Sequence, residues 1–130
     1  MHTKLDHVGV AVRNLEEAVR IYGRFGLRPS LNASAEGLRV AFLPAGESQV
    51  ELLEPTGPDT VIGKFIERRG EGLHHLCFEV SDLEAALNEL VALGVELIDR
   101  APRQGIEGKV AFVHPRSSGG VLIELLERDK

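Results

Sequence analysis

The sequence predicts an α+β fold in which one strand–helix–three-strand unit, βαβββ, occurs twice, and three observations predict it. The first is internal repetition. His7-Val8-Gly9-Val10-Ala11-Val12 aligns with His75-Leu76-Cys77-Phe78-Glu79-Val80, and at the same offset Asn14 meets Asp82, Leu15 meets Leu83, Glu16 meets Glu84, Ala18 meets Ala86 and Gly26 meets Gly94. Val50-Glu51-Leu52-Leu53-Glu54 then matches Ile123-Glu124-Leu125-Leu126-Glu127 at a slightly larger offset, which a few extra loop residues explain. Three blocks in one order mark a duplication rather than chance. The second observation is the two-residue alternation of apolar side chains in the first block of each half, the period of a strand with one buried face. The third is that a capped, helix-periodic stretch follows each of those strands.

Taken in order, Asp6–Val12 alternates Val8, Val10 and Val12 with His7, Gly9 and Ala11 and reads as the first strand. Asn14 is placed as an N-cap, with Glu17 three positions on echoing a capping box. The helix that follows carries Leu15, Ala18, Val19, Tyr22 and Phe25 on one stripe and stops at Gly26. Leu38–Pro44 and Gln49–Glu54 read as strands around the turn-rich Ala45-Gly46-Glu47-Ser48. Thr60–Arg69 reads as a connecting helix with Val61, Ile62, Phe65 and Ile66 inward and Gly70 as its cap. The second half repeats the order: a strand at Leu73–Val80, an Asp82-capped helix with Leu83, Ala86, Leu87 and Leu90 ending at Gly94, then strands near Glu96–Asp99, Lys109–Val113 and Val121–Leu126. The expectation is one domain over residues 1–130, with a first module at about 4–55, the connecting helix at about 60–69 and a second module at about 73–127. The two tandem βαβββ modules are expected to form a curved, cup-like mixed sheet with the helices on the outside.

Composition narrows the function. With 130 residues, 43% hydrophobic and 27% charged, the chain can bury a core without disulfides or structural metals. The net charge of −5, with no basic stripe, argues against nucleic acid. The single cysteine, Cys77, has no partner for an intramolecular disulfide, fits a reducing compartment and reads as a small buried hydrophobe. No apolar run reaches the roughly 18 residues of a membrane span, and structure begins so close to Met1 that no room is left for a leader peptide. These readings predict a soluble, cytoplasmic protein with no membrane partner.

The chemistry lies in the repeats. His7 and His75 sit at the same point of equivalent first strands, and Glu51 and Glu124 at the same point of equivalent last strands. Both histidines alternate with the core-filling side chains and so point to the other face of the sheet. A single strand histidine is ordinarily a hydrogen-bonded core residue, and a single glutamate on a last strand is ordinarily solvated. Retention of both at matched points in drifted duplicates favours a site instead. Two imidazoles and two carboxylates converging in a cup make an N₂O₂ set suited to a divalent metal. His74, by parity on the core side, reads as a hydrogen-bonded support, His2 as part of the terminus, and His114 as a loop residue before Pro115.

The doubled unit with His and Glu on corresponding strands resembles the vicinal oxygen chelate superfamily, which includes glyoxalase I, extradiol dioxygenases, fosfomycin-resistance transferases and methylmalonyl-CoA epimerases. Leu5–Val12, Gly70–Leu76 and His114–Leu125 look like the epimerase family, the last two segments specifically, and the resemblance runs from about Lys4 to Glu127. It implies a metal-dependent epimerase interconverting (2R)- and (2S)-methylmalonyl-CoA through a metal-stabilised enediolate. Carried over by position, the metal ligands are His7, Glu51, His75 and Glu124; the position of Glu51 is Gln in some epimerases. Glu124 and Glu51 are the catalytic bases that the resemblance and the pseudo-twofold together suggest. It further implies a divalent cofactor, Co²⁺ by preference with Ni²⁺, Mn²⁺ or Zn²⁺ as alternatives, an acyl-CoA partner and a homodimer. Some members carry an extra carboxylate on the second strand as a base; Arg39 aligns there, so that role does not carry over. Two other functions stay open on the residues: a glyoxalase I acting on a glutathione hemithioacetal, which would use the same four ligands, and a non-catalytic small-molecule-binding protein, which would need none of them.

Overall fold

The computed structural model describes residues 1–35 and 37–129. The chain falls into two compact units, one of His7–His74 and the other of Met1–Asp6 with His75–Lys130, so that the first strand contributes to both. The unit His7–His74 contains β1 (Thr3–Ala11) from His7 onward, α1 (Leu15–Gly23), β2 (Leu31–Ala35), β3 (Leu38–Ala45), β4 (Ser48–Pro55) and α2 (Val61–Arg69). Its strands run in the order β2-β3-β4-β1, with β1 parallel to β4 and the other neighbours antiparallel. The other unit repeats this with β5 (Gly72–Val80) from His75 onward, α3 (Leu83–Ala92), β6 (Arg103–Gln104), β7 (Gly108–Val113) and β8 (Ile123–Arg128). Its order is β5-β8-β7-β6, with β5 parallel to β8. The predicted βαβββ pattern is present in both units.

Each repeat block has a structural cause. The Asn14 side chain accepts from Glu17 N–H at 2.8 Å, and Asp82 accepts from Ala85 N–H at 3.0 Å, which satisfies donors that helix starts leave orphaned. The last strand supplies a second cap: Glu54 accepts from Leu15 N–H at 2.8 Å, and Glu127 from Leu83 N–H at 2.8 Å. Negative charge at a helix N-terminus also meets the positive end of its dipole. In each Glu-Leu-Leu-Glu block the second glutamate therefore serves the helix. Strand alternation puts the first glutamate, three residues earlier, on the opposite face.

The helix face of the first unit packs Val10, Val12, Ala41, Leu43 and Leu52 on Leu15 and Ala18. The second packs Val80, Ala111, Val113 and Leu125 on Leu83, Ala86 and Leu87. The opposite faces are also apolar. Ala11, Val40, Phe42 and Leu53 meet Ile62 and Ile66 of α2, and Cys77, Val110 and Leu126 form the smaller counterpart.

Four expectations are corrected. β2 went unread because its side chains lie mostly exposed, which leaves no apolar alternation to detect. The stretch near Glu96–Asp99 is held to Val113 and Phe112 by one isolated bridge at Leu97 and by Ile98 N–H; the ladder neighbour of β7 is β6. β8 starts at Ile123 rather than Val121. Phe25 and Val61 are each 76% exposed rather than inward, because α1 ends before Phe25 and the buried stripe of α2 runs through Ile62 and Ile66.

Gly108, at φ +152°, enters β7 so close to β8 that an added Cβ would stand 2.2 Å from the Glu127 carbonyl oxygen. Gly108→Ala is expected to cost roughly 2–5 kcal/mol, from backbone strain and overpacking together. A denaturant midpoint within error of wild type would show that β7 yields at no cost.

Candidate metal and active site

In the first unit the parallel register sets Gly9 opposite Glu51 and His7 opposite Gln49, so His7 and Glu51 share one face of neighbouring strands. His7 Nδ1 lies 2.9 Å from Glu51 Oε2, with the two residues only 3% and 6% exposed. Gln49 Nε2 donates to the same oxygen at 3.3 Å. From the other side β3 presents Phe42, in register with Glu51. The second unit builds a matching pair, its imidazole meeting the carboxylate through Nε2 rather than Nδ1. Cys77 stands opposite Glu124 on β5 and β8, and Phe112 of β7 is in register with Glu124. His75 Nε2 lies 3.1 Å from Glu124 Oε1, with His75 buried. The His75 ring meets Phe112 edge-on, centroids 6.1 Å apart.

The structure thus brings His7 to Glu51 and His75 to Glu124, each as an imidazole–carboxylate pair on the face away from the capping helix, the first fully buried and the second with Glu124 partly exposed. Burying a carboxylate such as Glu51 costs several kcal/mol unless it meets a hydrogen-bond donor or a cation. Metal–nitrogen and metal–oxygen bonds of about 2.1 Å put neighbouring ligand atoms of an octahedral ion about 3 Å apart. The separations of 2.9 and 3.1 Å match that spacing, which an imidazole–carboxylate hydrogen bond shares. Mixed imidazole nitrogen and carboxylate oxygen suit a divalent first-row ion, and each pair fits as one N,O half of its ligand set.

The remaining histidines take other parts. His74 stands edge-on against Phe65 of α2 at 4.9 Å. His114 accepts from Arg116 N–H at 3.0 Å through Nδ1 and so caps the short 3-10 turn at Pro115–Ser117, which keeps it a loop residue as expected. His2 is exposed and Cys77 fully buried. Arg39 lies in register with Glu54 and binds Glu54 and Glu16, each at 2.7 Å, on the α1 side of the sheet. It therefore stands on the face opposite Glu51, where a base for the His7 face could not be.

Two features escaped the sequence reading. Val40-Ala41-Phe42 and Val110-Ala111-Phe112 are a fourth repeat, and they set the matching Phe beside each carboxylate. Arg128 gathers the buried Asp6 with Glu79 at 3.2 Å and Glu107 at 3.1 Å. Burial works against its charge, but hydrogen bonds and charge from Asp6 and Glu107 outweigh it and hold the guanidinium above its ordinary range.

Residues 6–112 match the model of the glyoxalase/bleomycin resistance protein/dioxygenase superfamily. The chain belongs to that superfamily and, within it, to the methylmalonyl-CoA epimerase family. The mitochondrial methylmalonyl-CoA epimerase of Dictyostelium discoideum is 38% identical over 96% of this chain and 78% of its own length. The crystal structure of methylmalonyl-CoA epimerase from Mycobacterium tuberculosis superposes with a TM-score of 0.90 at 37% identity, over 97% of this chain and 88% of that one. A Streptomyces coelicolor methylmalonyl-CoA epimerase variant in complex with 2-nitronate-propionyl-CoA superposes with a TM-score of 0.92 at 33% identity, over 98% and 96%.

Proposed function

We propose that this chain epimerises methylmalonyl-CoA at C2, interconverting the 2R and 2S forms. His7, Glu51, His75 and Glu124 together hold one divalent metal, so that the two units work as a single domain. The observation that carries the reading is the His–Glu pair made twice, at 2.9 and 3.1 Å, on equivalent strands. The epimerase relatives, one bound to an acyl-CoA analogue, favour this substrate class over a glutathione hemithioacetal.

C2 of the substrate lies between a thioester carbonyl and a carboxylate, and its proton is acidic because both can take up the charge left behind. A divalent ion held by these residues would supply Lewis acidity toward those oxygens, worth several kcal/mol in the transition state. Proton transfer falls to the carboxylates. Inversion needs removal from one side of C2 and delivery to the other, and Glu51 and Glu124 come from strands related by the duplication. One takes the proton while the other delivers its own. His7 and His75 act as neutral nitrogen donors, each fixed against its carboxylate. Phe42 and Phe112 flank the carboxylates with apolar surface, which limits water around them. The reading extends to Co²⁺ as the preferred ion, with Ni²⁺, Mn²⁺ or Zn²⁺ as substitutes, to a homodimer and to a cytoplasmic enzyme. Among the described residues no helix is long and apolar enough to cross a membrane.

The test is deuterium uptake at C2 from heavy water, with cobalt-loaded and chelator-treated protein in parallel. Cobalt-loaded protein is expected to exchange C2 and convert one epimer to the other. Chelation is expected to reduce both to the uncatalysed rate, and added Co²⁺ to restore them. Undiminished exchange after complete metal removal would sink the metal reading; no exchange from folded, cobalt-replete protein would sink the epimerase.

A further inference from the structure

Around the two His–Glu pairs the units match closely: Phe42 with Phe112, Val40 with Val110, Leu53 with Leu126. They differ beside the histidine. His7 has Gln49 as its register partner on β4. The corresponding residue of the other unit, two before Glu124 as Gln49 is two before Glu51, is Leu122, which has no side-chain donor. Gln49 Nε2 donates to Glu51 Oε2 at 3.3 Å, and that same oxygen is the one 2.9 Å from His7 Nδ1. Gln49 Nε2 is thus a hydrogen-bond donor to the carboxylate oxygen that faces His7, and it comes from the same strand face as Glu51.

We propose that Gln49 is a positioning residue that holds Glu51 in its ligating orientation, a role that Leu122, at the equivalent point of the other unit, has no side-chain donor to fill. This rests on the reading of Glu51 as a metal ligand. Outer partners that orient metal ligands are worth about 10–100-fold in metal affinity, and the 3.3 Å bond places Gln49 at the low end.

The experiment is calorimetric titration of metal-free protein with Co²⁺ alone, on wild type, Gln49→Met and Leu122→Met. Methionine keeps the length of Gln49 and removes its N–H donors. Gln49→Met is expected to bind Co²⁺ about tenfold more weakly, with the melting temperature of the metal-free protein unchanged, while Leu122→Met binds as wild type does. Should Gln49→Met lower the melting temperature, Gln49→Leu, which matches the residue at 122, gives the same reading. Gln49→Met binding as tightly as wild type overturns the positioning role alone, as does an equal loss in Leu122→Met. A wild-type chain that takes up no Co²⁺ overturns the metal reading and this role together.

Discussion

Glu124→Gln is expected to lower interconversion of the two epimers by about a thousandfold, the middle of the range a positioned acid–base group contributes. The substitution keeps the shape of the side chain and an amide oxygen able to ligate, so the metal stays bound and what is lost is the proton carrier. Its pattern is more telling than its size. With Glu51 intact, the epimer whose proton faces Glu51 should still exchange C2 hydrogen with solvent, and should do so with retention. The other epimer should be inert. Glu51→Gln should give the mirror result. Mass spectrometry of each separated epimer after incubation in heavy water reads this directly. If both epimers lose exchange together in Glu124→Gln, one base serves both faces and the symmetric two-base mechanism is wrong.

The logic of that prediction is legible in the sequence because duplication writes a site twice. His7 with His75 and Glu51 with Glu124 stood out through being repeated, and strand parity alone put each histidine on the face away from its helix. The same parity explains why each Glu-Leu-Leu-Glu block is conserved between the halves as a unit: its first glutamate pairs with histidine and its second caps a helix. What the sequence hid follows from how strands announce themselves. β2 exposes most of its side chains and β6 is two residues long, so neither has an apolar period. Arg39 shows how much the face of a strand decides, since one step along a strand reverses it. Arg39 pairs with Glu16 and Glu54 on the α1 side, while its neighbour Val40 faces the His7 side. The Arg128 cluster was invisible for a third reason: Asp6 and Arg128 stand at opposite ends of the chain, and no local pattern links them.

Leu52→Ala and Leu125→Ala test how deeply the duplication goes. These residues are equivalent in the repeats, 0% and 3% exposed, and each lies beneath the helix of its own unit. Truncating a buried leucine costs about 2–5 kcal/mol, the lost transfer energy plus the cavity left behind. For a chain of this size that is a fall in melting temperature of roughly 10 °C. Similar surroundings predict similar losses for the two variants. The manner of unfolding carries further information. β1 is one continuous strand that serves both units, Thr3–Asp6 in one and His7–Ala11 in the other. Melting either unit therefore frays a strand of its neighbour, and each variant is expected to unfold in a single transition in the metal-free state. Calorimetry distinguishes the cases, since two-state unfolding makes the van't Hoff and calorimetric enthalpies equal. A split transition in Leu52→Ala, with the upper half left at the wild-type temperature, would mean that the repeats fold as independent bodies. On the proposed ligand set, added Co²⁺ should then merge the two transitions into one.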